Sequence, residues 1–138
     1  MRIPVKWLIL SLAVLLVGCS GSSLYYSVAL INKGQETVTV EPFALNEHET
    51  VLRDVLPLNA DHGQAVFFYP PAKEINLVWS SSKTGVKVST EVTINLPKEF
   101  TRENGSCINL YIDPEKQKIE VGYEILDPKT GDFNLVKQ

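Results

Sequence analysis

The residues whose types could do chemistry are few: a polar Ser/Lys/Thr/Gly run that recurs in part, two histidines and an unpaired thiol. Ser80-Ser81-Ser82-Lys83-Thr84-Gly85 holds an S-x-x-K spacing and a Lys-Thr-Gly, and Lys129-Thr130-Gly131 repeats the latter. In penicillin-binding enzymes such triplets accompany a helix-borne Ser activated by a Lys. Here the first two motifs overlap, so they cannot be separate walls of one site. Both stretches lie between strand-patterned segments and are expected to be turns, with Gly ending a polar hairpin loop.

His48 sits in "NEHE" and His62 in "DHG", which places Glu47, Glu49 and Asp61 beside them. Two imidazoles with carboxylates have the donor types zinc takes, but the chain between them is irregular and offers no fixed helical pair. No metal and no cofactor are expected. Cys107 alternates with Asn109, Tyr111 and Asp113 on the more polar face of its segment, with neither His near it in sequence. A nucleophilic thiol needs such a base, so a semi-buried structural thiol is the reading, and no catalytic residue is assigned.

The strongest signal lies in "LLVGCSGSS", residues 15–23. Residues 7–17 carry no charge, and Arg2 and Lys6 precede them. As a helix that run would rise about 16 Å at about 1.5 Å per residue, roughly half a hydrocarbon core. It fits the apolar region of a signal peptide rather than a membrane span. Leu16-Val17-Gly18-Cys19 resembles the lipobox of bacterial lipoproteins. That resemblance implies cleavage before Cys19, diacylglycerol on its sulfur and usually a third acyl chain on its new amine. Several chains anchor stably, at about 0.8 kcal/mol per buried CH₂. Ser20, rather than Asp, follows the Cys, which in the enteric pattern implies sorting to the outer membrane. The expected organisation is a leader over residues 1–18, a lipidated Cys19 and flexible tether over 19–23, and a periplasmic domain over 24–138.

Removing the leader leaves 120 of 138 residues, one ordinary domain. Of 13 Lys/Arg the leader takes Arg2 and Lys6, leaving 11 against 16 Asp/Glu, a balance of −5. An acidic domain argues against nucleic acid and against added attraction to anionic lipid, and suits a basic protein partner. With Cys19 lipidated, Cys107 has no partner within the chain, so the core must hold without a disulfide.

Period-2 alternation runs through the domain. In "VKVSTEVTINL", Val86, Val88, Thr90, Val92, Ile94 and Leu96 share one face. "EINLVWS" aligns Ile75, Leu77 and Trp79; "SCINLYID" aligns Ile108, Leu110 and Ile112; "KIEVGYEI" aligns Ile119, Val121, Tyr123 and Ile125. "LYYSVALIN", "TVTVEPFAL" and "AVFFY" supply further strands, and "DPKTGD" precedes a last one at Phe133 to Val136. The pattern predicts an all-β, antiparallel β-sandwich of seven to eight strands, immunoglobulin-like in architecture. Residues 46–64 are least regular and are open to a short strand, a helical turn or a functional loop.

"AVFFYPP" places Phe67 and Tyr69 on one face and Phe68 on the other. Either the sheet is covered on both sides, or one face exposes an aromatic anchor beside rigid prolines, the composition of an interface hot spot. Tyr25-Tyr26, close to the tether, pose the same alternative. Phe68, Tyr25, His48 and His62 are the candidate partner-binding residues.

The order of features resembles a family of small lipoproteins that act as immunity proteins against type VI secreted phospholipases. The likeness rests on the lipobox, Tyr25-Tyr26 in a first strand, Ile75 to Trp79, the close at Ile94-Asn95-Leu96-Pro97, and the Cys-bearing strand Ser106 to Ile112. It implies a non-enzymatic protein that binds a toxin in the periplasm and blocks it. The expectation is therefore a lipoprotein held at the periplasmic face of a bacterial membrane by its lipid, binding a periplasmic or secreted protein. The alternative is an accessory structural lipoprotein of an envelope or secretion assembly.

Overall fold

A computed structural model describes residues 24–138; the leader, Cys19 and the tether lie outside the described residues. The chain is all-β. Its strands are β1 (Tyr26–Asn32), β2 (Val38–Val40), β3 (Phe43–Ala44), β4 (Thr50–Val51), β5 (Asp54–Leu56), β6 (Asp61–Phe67), β7 (Glu74–Ser81), β8 (Lys87–Thr93), β9 (Gly105–Asp113), β10 (Lys118–Leu126) and β11 (Phe133–Lys137). They form a five-stranded sheet β11-β10-β9-β1-β6, a four-stranded sheet β5-β2-β7-β8 and the small hairpin β3-β4.

The alternation read from sequence builds the core. Val28, Leu30, Ile108, Leu110, Ile112, Val121, Tyr123 and Ile125 come from the larger sheet, and Val38, Val40, Leu56, Ile75, Leu77, Trp79 and Val92 from the smaller; all join one buried cluster. Each full burial of a Val, Leu or Ile contributes about 1.5–3 kcal/mol against exposure. The fold is thus sandwich-like. Trp79 satisfies its indole N–H by donating to Thr90 Oγ1 at 3.0 Å, so the largest core side chain leaves no orphaned donor.

Two expectations need correction. The eleven strands exceed seven or eight because "TVTVEPFAL" is broken: Glu41 N–H still donates to Val78 O at 2.9 Å, but Pro42 has no N–H to continue the ladder. Residues 46–64, open at the sequence level, supply β4, β5 and the start of β6 rather than a helical turn. Nor is the structure wholly antiparallel. β1 pairs with β9 in parallel, from Ser27↔Cys107 to Asn32↔Ile112. Alternation tells which face a residue takes but not which way its strand runs, and a parallel neighbour arrives only after a long crossover. Here that crossover is the whole passage from β2 to β8.

The parallel pair has a consequence for the surface. With β6 and β10 antiparallel to β1 and β9, and β11 antiparallel to β10, one end of the sheet collects the starts of β1, β9 and β11 and the ends of β6 and β10. That is the end at which the chain enters from Cys19.

Candidate functional site

At this entry end, the tip of the β3-β4 hairpin reaches the segment that follows β6. The tip is fixed locally: Asn46 Oδ1 accepts from the N–H groups of His48 and Glu49, both at 2.8 Å. Leu45 N–H closes the turn on Glu49 O at 2.9 Å. The Glu49 carboxylate then accepts from Phe68 N–H at 3.0 Å and Tyr69 N–H at 2.9 Å, and from Asn46 Nδ2 at 3.0 Å. These N–H groups lie just beyond the sheet ladder, and the carboxylate satisfies both. Burial pushes the Glu49 carboxyl up, but the two backbone donors, the Asn46 amide and nearby His48 together outweigh it, leaving its pKa below the ordinary value.

The same segment is held from below. Tyr26 donates its phenolic hydrogen to Tyr69 O at 2.6 Å, and Leu24 N–H donates to Phe68 O at 2.8 Å. Burial, with the Glu49 charge reinforcing it, raises the Tyr26 phenol well above its ordinary pKa, so it remains a donor at physiological pH.

What this frame presents is aromatic. Tyr25 is 57% exposed, Phe68 51% and Tyr69 48%. The Tyr25 and Phe68 rings meet edge to face at 5.8 Å, while His48 lies over Tyr69 at 4.3 Å, tilted by 35°. Two shallow hollows flank the group. One, of about 340 Å³, is lined by Asn46, Glu47, His48, Tyr69, Pro70 and Ala72. The other, also about 340 Å³, lies on the five-stranded sheet's side and includes Tyr25, Val66, Arg102, Leu126 and Phe133.

The candidate residues therefore separate. Tyr25, Phe68 and His48 come together at one end, linked through Tyr69 and Glu49. Phe67 enters the core while Phe68 and Tyr69 both face outward, because β6 ends at Phe67 and the alternation ends with it. His62 is not in this group. It pairs with Leu30 near the far end of β6, where its Nδ1 sits 3.1 Å from Asp54 Oδ1. No cluster of metal-ligating side chains occurs among the described residues. Cys107 is 7% exposed, although its side faces away from the main core. Its thiol donates to Asn109 Oδ1 at 3.2 Å. Burial pushes the thiol pKa up, offset in part by Ser27 and reinforced by the Glu124 charge, so it rests as the weakly nucleophilic protonated form. Gly85 and Gly131 close their loops at φ of 64° and 77°, and both Lys-Thr-Gly runs are turns, as their composition predicts.

Glu49 was visible in the sequence only as a neighbour of His48. Its signal was the Asn46-x-x-Glu49 spacing, which resembles a capping box, a pattern that fixes a turn through side-chain bonds to backbone N–H groups. Phe133 gave no sign beyond its place in the last strand.

Among the described residues no helix is long and apolar enough to cross a membrane. Comparison with protein-family models, with curated proteins and with solved structures finds no match to this chain.

Proposed function

We propose that this protein is a membrane-anchored, periplasm-facing lipoprotein that binds a protein partner without catalysis, most specifically an immunity-type inhibitor of a secreted toxin. The domain of two main sheets and a small hairpin, read as an immunoglobulin-like sandwich, serves as the rigid scaffold. The observation that carries the binding reading is the shelf of Phe68, Tyr69 and His48, exposed yet locked from beneath by Glu49 and Tyr26. An aromatic surface whose backbone is already fixed loses little conformational entropy when a partner covers it, which is the character of an interface hot spot. The hollow between His48 and Pro70 gives that partner a recess to fill. Membrane attachment rests on the lipobox at Cys19, and the acidic balance suits a basic effector surface.

Co-expression of the anchored protein with periplasm-directed effectors tests this. Wild type is expected to protect against one effector, and Phe68→Ala and His48→Ala to lose protection while remaining folded by circular dichroism. Full toxicity from every effector encoded nearby, with wild type present, rejects the immunity reading. Co-purification with a large envelope assembly instead, accompanied by an assembly defect on deletion, supports the accessory alternative.

A further inference from the structure

The second hollow lies on the five-stranded sheet's side and meets the shelf through the Tyr25–Phe68 contact. Among the described residues the exposed aromatic side chains are Tyr25, Phe68, Tyr69 and Phe133, and all four lie at the entry end. The exposed aliphatics elsewhere include Leu58, which precedes β6 and therefore lies at the opposite end. Tyr25, Val66, Leu126 and Phe133 all line the hollow. Phe133 reaches this position because β11 starts where β10 ends, in the Leu126↔Phe133 register.

The tether sets what this end can touch. Leu24 is fixed to Phe68, and five peptide steps separate it from Cys19. Five such steps can span at most about 18 Å. The seven residues of β1 already extend about 20 Å at roughly 3.3 Å each. An acylated Cys19 therefore keeps the entry end near the headgroups, with the opposite end about one strand length further along the sheet. Tyrosine and tryptophan concentrate at that boundary, where an apolar ring with a polar tip is half immersed, and Phe inserts from amphipathic surfaces. Arg102 and Glu103 also line the hollow; Arg102 can lay its stem on apolar surface and place its guanidinium among phosphates, while the adjacent carboxylate leaves the lining without net charge.

We propose that the Tyr25–Val66–Phe133 surface beds into the lipid headgroup layer at the entry end, so that partner binding at the adjacent His48–Tyr69 shelf takes place next to the membrane. The contact rests on the reading of Cys19 as acylated. It can be weak on its own, because the tether makes it intramolecular and supplies a high effective concentration. The acidic balance of the domain gives no general attraction to anionic lipid, so the contact is expected in zwitterionic membranes too.

The test uses the full-length, processed protein in phosphatidylcholine vesicles containing bromine-labelled acyl chains. Phe133→Trp and Tyr25→Trp place a probe at the surface; Leu58→Trp is the control, and the buried Trp79 contributes equally to all three. The expected result is a blue shift and bromolipid quenching at positions 133 and 25, with emission at position 58 unchanged. Mass analysis of the amino-terminal peptide accompanies each sample. Acylated Cys19 with no quenching at either probe overturns the docking and leaves the anchor intact; an unmodified Cys19 thiol overturns both. Shielding of the probes that appears only when an envelope protein is added, without lipid quenching, overturns the lipid contact in favour of a protein one.

Discussion

The two ends of the five-stranded sheet solve one problem in opposite ways. Where strands stop, backbone groups lose their ladder partners and must find others. At the far end the solution is buried and neutral. Asn32 turns inward, donates one Nδ2 hydrogen to Glu36 O and shares the other between the carbonyls of Leu56 and Pro57, and accepts Gly34 N–H at 2.9 Å. Pro114 packs against Gly34 so closely that a Cβ there would strike its ring. At the entry end the solution is a charge from another hairpin, Glu49, and the rings around it stay open to solvent. One end is a seal, the other a fixed platform. The exposed aromatic residues are therefore held in place by bonds of their own and are not the fraying of a sheet.

The largest effect is expected from breaking the seal. Asn32→Leu keeps the branched outline of the side chain but removes every one of these hydrogen bonds, and at about 1–3 kcal/mol for an unmet buried group, partly relieved by water, the loss should be about 3 kcal/mol. Urea unfolding should show a lower midpoint with an unchanged slope; an unaltered midpoint would mean that Asn32 does not hold this end.

Glu49→Gln should act on the platform alone. The amide exchange of Phe68 and Tyr69 should quicken by about tenfold, the worth of a charge-assisted bond, with little change in global unfolding. The pH dependence follows from the direction of its shift. Because the folded-state pKa lies below the ordinary one, the lock contributes fully above the ordinary carboxylate value. It is lost as pH falls through the lowered value. Wild type should therefore gain the fast exchange of these two amides only in that acid range, after correction for intrinsic exchange. Glu49→Gln should show fast exchange throughout.

The smallest stability effect is expected at Phe68→Ala, where a half-exposed ring should cost under about 1 kcal/mol. If thermal unfolding instead drops as far as for Asn32→Leu, Phe68 is core and the contrast between the ends fails.

Strand positions were legible in the sequence because each strand carries its own alternation: β7, β9, β10 and β11 fall within a residue or two of their predicted bounds. Strand direction was not, since the β1–β9 pairing joins segments about 80 residues apart and leaves no local pattern. Of the site, Tyr25 and Phe68 were legible as aromatic residues on strands with a doubtful second face. His62 was misplaced with them because composition groups residues by type, whereas β6 carries His62 and Phe67 to opposite ends. Glu49 escaped notice because its role depends on Phe68 and Tyr69, some 19 and 20 positions away.

The placing of β1 between β9 and β6 bears also on force. A tug delivered through Leu24 runs along the axis of β1, and the hydrogen bonds on its two flanks lie across that axis. They must slip together, as in a lap joint, instead of parting one after another. Against a load borne at the opposite end of the sheet, the tied strand is thus held in shear on both sides.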